Sequence, residues 1–304
     1  MKTIINLLAA LVLLIMTACS SNEVEVENIV EGDKVPVRVH VNEFSISMTS
    51  FDDIAAGARG VTRADDAKTA VKACMLAFYD INGAEKYKTT QIYYDSGTYT
   101  TFGEFSASLP IGHYKMVALG YVYIEGDVLT LTSPTQAEFD GERPRETFSL
   151  VQDVTVTKDT PLDLEVTLDR ISSWLSIKST DGRSASVTKI RTTFGKGGKS
   201  FDPTTGLSLT DKGFSQTNSP STAVGATIWV SSCPFLHTDE ETMDVTIEAL
   251  DKDDVVLFTK VIENVDFKRS CKTIIQGPIF TAGTSSAGFK LNTEWKEGET
   301  YTFE

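Results

Sequence analysis

The chain has 304 residues, and 42 Asp and Glu against 28 Lys and Arg leave it a formal charge of −14 at pH 7. A surface that acidic argues against nucleic acid or anionic lipid as the main partner, because phosphate binding needs clustered Lys and Arg, and Lys196, Lys199 and Lys212 are scattered among glycines and threonines. No CxxC pair occurs among the four cysteines, which excludes the usual zinc and dithiol motifs.

In chain order the first element is a secretory signal: Lys2, an apolar run from Ile4 to Met16, then small residues up to Cys19. The run falls short of the roughly 20 apolar residues that a spanning helix needs. Ile15-Met16-Thr17-Ala18-Cys19 resembles a bacterial lipobox, with Met16 where Leu is usual. Cys19 is therefore expected to carry lipid, and residues 1–19 to be the lipoprotein signal peptide. Residues 20–34 read as a polar tether with Glu23, Glu25 and Glu27. About 285 residues follow Cys19, a length suited to two domains.

From there the pattern has period two. Val35, Val37, Val39 and Val41 alternate strictly, and Phe44, Ile46 and Met48 resume after a one-residue slip that predicts a β-bulge or a short turn within the strand region. Val71–Asp80 is a strand ending in Ile81-Asn82-Gly83, a hairpin signal because Asn and Gly tolerate positive φ. Further strands are expected at Lys88–Tyr94, Thr98–Leu109, His113–Tyr123, Phe148–Thr157 and Leu162–Leu168. The break Lys158-Asp159-Thr160-Pro161 predicts a boundary between domains at 35–160 and 161–304. The second half continues with strands at Ile171–Ser179 and Ser186–Phe194, then a loop from Gly195 to Ser221 with room for one short strand. Ala226–Ser231, Met243–Leu250, Val255–Val261 and Thr273–Phe280 follow, with terminal strands around Leu291 and Tyr301–Phe303. Many short strands without intervening helices predict an all-β protein of two tandem antiparallel β-sandwiches.

The chemistry expected is none. His40, His113 and His237 stand apart from other ligand types, no nucleophile elbow, HExxH or phosphate loop occurs, and the acidic pairs miss calcium-loop register. No cofactor, metal or catalytic residue is assigned. Cys74 alternates with Leu76 and Phe78 and is expected to be a buried, inert thiol. Three cysteines after Cys19 leave at least one thiol unpaired, with a Cys233–Cys271 disulfide left open.

Three features together resemble the fimbrillin superfamily of Bacteroidales, the subunits, tips and anchors of surface pili. They are the N-terminal plan of Cys19, tether, alternating strand and Val61-Thr62-Arg63-Ala64; the strand Leu76-Ala77-Phe78-Tyr79-Asp80 with its Asn82-Gly83 turn; and Leu168-Asp169-Arg170-Ile171 together with Phe267–Phe280, where Thr273, Gly277 and Phe280 recur. The resemblance spans the mature chain and implies two transthyretin-like sandwiches in tandem. It implies cleavage between Arg63 and Ala64 and removal of residues 35–63. The displaced strand would carry Val35, Val37, Val39, Val41, Phe44, Ile46 and Met48. A donor strand at 288–304, bearing Phe289, Leu291, Trp295, Tyr301 and Phe303, would fill a neighbour's groove.

The partners implied are other fimbrial subunits in a homo- or hetero-polymer, outer-membrane lipid through the acylated Cys19, and host or bacterial surface ligands. The location implied is the outer face of the outer membrane, or the fimbrium once assembled. The rival reading is a surface glycan-binding lipoprotein. It needs at least two of Trp174, Trp229 and Trp295 exposed on one face, whereas their strand positions suggest core packing.

Overall fold

The computed structural model describes residues 34–45, 71–93, 102–141, 143–281 and 300–302. Every regular element among these residues is a strand, as the periodicity required. The first nine are β1 (Lys34–Ser45), β2 (Ala73–Asp80), β3 (Glu85–Ile92), β4 (Glu104–Pro110), β5 (Gly112–Tyr121), β6 (Leu129–Ser133), β7 (Gln136–Phe139), β8 (Thr147–Val156) and β9 (Leu162–Arg170). The rest are β10 (Trp174–Ser179), β11 (Lys189–Phe194), β12 (Ser200–Asp202), β13 (Leu207–Ser208), β14 (Phe214–Asn218), β15 (Trp229–Ser232), β16 (Glu240–Leu250), β17 (Val256–Lys268), β18 (Lys272–Gly277) and β19 (Thr300–Thr302).

Seven strands form one sheet in the order β3-β2-β5-β8-β9-β1-β4. Only Phe148–Arg170 and Ser149–Asp169 join β8 to β9. Around that narrow junction the sheet folds on itself, because one core collects side chains from both arms: Val37 and Val39 of β1, Phe105 and Leu109 of β4, Leu76 and Phe78 of β2, Met116 of β5. The β2–β3 hairpin forms where expected, with Gly83 at φ +77° and Asp80 accepting from the Asn82 and Ala84 amides.

Strand β2 is buried along almost its whole length, which explains its unbroken apolar run. Its second face, with that of β5, packs under a four-stranded sheet ordered β13-β12-β7-β6. There Ala73, Met75, Tyr79, Val117 and Leu119 meet Leu129, Phe139, Phe201 and Phe235. The remaining strands form two facing sheets, β15-β10-β18-β19 and β14-β11-β16-β17, closed over Leu175, Ile177, Phe194, Ile247, Phe267 and Ile275.

Three differences from the sequence reading have physical causes. The pairs β1–β9, β10–β18 and β18–β19 are parallel, so antiparallel hairpins do not account for every ladder. Five short strands, β6, β7, β12, β13 and β14, occupy stretches where at most one was expected. The strand after Pro161 stays in the first sheet, beside β8 and β1, so the break at 158–161 is a turn within that sheet. We propose that the halves part after Arg170, where the chain crosses into β10, and not at 160/161. Cys74 is fully buried, as expected. Cys233 is a free thiol, so the pair left open with Cys271 is not a disulfide.

Candidate functional site

Strand β1 lies between two partners. It runs antiparallel to β4 from Lys34↔Pro110 to His40↔Glu104 and parallel to β9 from Val37↔Leu162 to Ser45↔Asp169. Strict alternation sends Val35, Val37, Val39 and Val41 into the core at 7%, 1%, 0% and 3% exposure, and leaves Lys34, Pro36 and Arg38 outside. The parallel register slips between Val41 and Glu43. This shift falls at the slip in the sequence, where a bulge or a short turn was expected. On the outer face His40 Nε2 stands 3.0 Å from Asp163 Oδ1 of β9.

The groove beneath β1 is therefore a slot with two hydrogen-bonding walls and four apolar positions. Burying four valines stabilises by roughly 1.5–3 kcal/mol each, as an upper figure. That sum is comparable with the net stability of a whole domain. A cut in the chain after β1 does not by itself release the strand; a competing strand must supply the same burial and both ladders.

The outer wall is braced in a way the sequence did not reveal. Strand β4 is one edge of the seven-stranded sheet and β3 the other, and side chains span the gap between them. The Gln91 amide of β3 donates to the Glu104 carbonyl at 2.6 Å and accepts from the Gly103 amide at 2.8 Å, acting as one rung of a ladder. Tyr87 donates from its hydroxyl to the Ser106 carbonyl at 3.2 Å. Gly103, at φ +90°, accepts from the Val41 amide through its carbonyl at 3.0 Å. A Cβ on Gly103 would come within 3.1 Å of the Val41 carbonyl oxygen. Positive φ and close approach both select glycine there.

Phe44 is in β1, in register with Leu168, and Tyr301 is in β19, in register with Ile275 of β18. Cys19, Ile46, Met48, Arg63, Ala64, Phe289, Leu291, Trp295 and Phe303 lie outside the described residues. At the root of the C-terminal segment, the Asp181 carboxylate accepts from the Ile279 and Phe280 amides and the Thr281 hydroxyl.

The tryptophans depart from the core role expected of them. Trp229 is 49% exposed and Trp174 half-buried. Lys178 Nζ stands 4.6 Å from the Trp229 ring centre, and Lys272 Nζ lies 5.1 Å and 5.6 Å from Trp174 and Trp229. Trp229 is the one exposed tryptophan among the described residues, and lysines lie over its ring. Among the described residues no group of three or more His, Cys, Asp and Glu could hold a metal ion. Among the described residues there is no helix long and apolar enough to cross a membrane.

Several solved structures are similar at low identity. A candidate adhesin from Bacteroides ovatus aligns at 11% identity and TM-score 0.47, covering 81% of this chain and 87% of its own. A candidate polysaccharide-binding protein from Bacteroides thetaiotaomicron aligns at 13% and 0.45, covering 74% and 79%. The fimbrial anchor protein Mfa2 from Porphyromonas gingivalis aligns at 13% and 0.41, covering 75% and 82%. These likenesses carry no functional argument. No curated protein matches the chain. A family model does match, over residues 38–303, and the chain belongs to that family, DUF6562, a family of unknown function.

Proposed function

We propose that the protein is a structural subunit or fimbria-associated lipoprotein of a bacterial surface pilus, assembled by strand exchange and contributing to adhesion. One observation carries the reading: β1, the first strand after the proposed tether, fills a slot between β9 and β4 with four buried valines. Such a strand can be replaced by another that offers the same alternation and ladders. The fimbrillin-like order of motifs supports it. In this reading Cys19 holds the chain in the outer membrane through lipid, Arg63–Ala64 is the processing site, and residues 288–304 are donated to a partner subunit. An anchor or accessory form keeps both lipid and β1. The activity is assembly and adhesion, with no catalysis. Among the described residues the glycan-binding alternative has one exposed tryptophan, Trp229, with Trp174 half-buried.

The test is treatment of the purified mature chain with an arginine-specific protease. The polymerising form gives a stable fragment beginning at Ala64, which forms ladders on a gel once a strand-donating partner subunit is added. Resistance at Arg63 with no multimers rules that form out and leaves the anchor.

A further inference from the structure

We infer that the groove under β1 takes a strand with small β-branched side chains at four alternate positions and a basic outer face, so that it accepts a different subunit and rejects the C-terminal segment of a second copy of this chain. The inference rests on the strand-exchange reading above.

The argument begins with size. The four inward positions are all valine and no more than 7% exposed, and protein interiors leave little room for added methylenes. At one end Gly103 packs closely on Val41, whose side chain is 3% exposed. The register shift after Val41 interrupts the alternation of the four valines before the ladder with β9 resumes at Glu43–Ser45.

The chain's own C-terminal segment does not supply them. In one phase it offers Phe289, Leu291, Thr293 and Trp295; in the other, Lys290, Asn292, Glu294 and Lys296. Nearer the end, Tyr301 and Phe303 alternate with Thr300, Thr302 and Glu304. No phase holds four small apolar residues in succession. Residues 300–302 are also already seated, in parallel with β18.

Charge points the same way. The rim of the slot carries exposed Glu104 on β4 and Asp163 and Glu165 on β9, with His40 in register with both Glu104 and Glu165. Strand β1 answers with Lys34, Arg38 and His40 on its outer face. A partner strand with the same basic face gains from that rim, and one with acidic residues there is opposed.

The test uses the full mature chain cut within residues 46–70 by an arginine-specific protease. Labelled peptides compete for the slot, and native mass spectrometry reads their occupancy. Four are compared: residues 33–45, the same peptide with its four valines changed to Phe, residues 288–304, and 288–304 carrying F289V, L291V, T293V and W295V. The expected result is uptake of the first, occupancy at least about tenfold lower for the second and third, and partial recovery with the fourth. Equal uptake of 33–45 and 288–304 overturns the selectivity while leaving strand exchange intact. Failure of 33–45 itself to enter overturns strand exchange, and the selectivity with it. In the uncut chain Val39→Phe lowers Tm by several degrees, whereas Val39→Ile has a smaller effect; equal Tm values for wild type and Val39→Phe would mean the position is not size-limited.

Discussion

Cys74 lies wholly inside the first core, and burial pushes its thiol up to about 12. Tyr79 and Tyr121 are likewise pushed up to about 12, chiefly by burial and then by nearby Glu85 and Tyr123 respectively. The unfolded chain releases these protons at ordinary values while the folded chain keeps them, so the unfolded state binds fewer protons as pH rises. Stability is therefore fully present below about pH 9 and falls progressively towards pH 12. Cys74 alone contributes a slope approaching about 1.4 kcal/mol per pH unit in that window. Urea midpoints measured at pH 8 and pH 10.5 should show the fall, and Cys74→Ala should flatten it. The same burial makes Cys74 inert to alkylation in the folded chain. Its alternation with Leu76 and Phe78 announced this directly, because period two places it on the core face.

Among the elements, β1 was the most legible: its alternation, its inward valines and the place of its register shift all followed from residue order. Its partners did not. Alternation says which face is buried but not which strand lies alongside, and β9 joins it in parallel from the far end of the first half. The short strands were hidden for another reason. Strand β12 has three residues and a single core side chain, Phe201, set in a Gly-, Ser- and Thr-rich stretch whose composition reads as loop. The Gln91 brace had no signature at all, since a glutamine on an edge strand is ordinary until Gly103 and Glu104 are brought opposite it. Gln91→Leu removes both bonds at the seam and is expected to cost about 1–3 kcal/mol. The specific readout is faster hydrogen exchange at the Gly103 amide; unchanged exchange there would mean the brace does not hold β4.

For the molecule as a whole, the sheet β13-β12-β7-β6 joins two strands from the first half to two from the second. Phe235 ties them together, 4.3 Å from the Phe201 ring centre and 6.2 Å from that of Phe139. The Arg170–Glu146 pair, 2.7 Å apart and almost wholly buried, sits where the chain leaves the first sheet. Phe201→Ala is expected to cost about 3–5 kcal/mol and to split one calorimetric transition into two, as the halves lose their shared sheet. A single transition at lower temperature would show that other contacts suffice to couple them. A proline break such as that at Pro161 looks the same in residue order whether it ends a domain or turns between neighbouring strands.

The parallel pairing of β1 with β9 also sets an order of events in time. A strand near the start of the chain has no lateral partner in β9 until everything up to Arg170 has been made, and non-local pairings of this kind are slow to form. Strand β1, the first among the described residues, is thus secured on both sides only after β9 has been made.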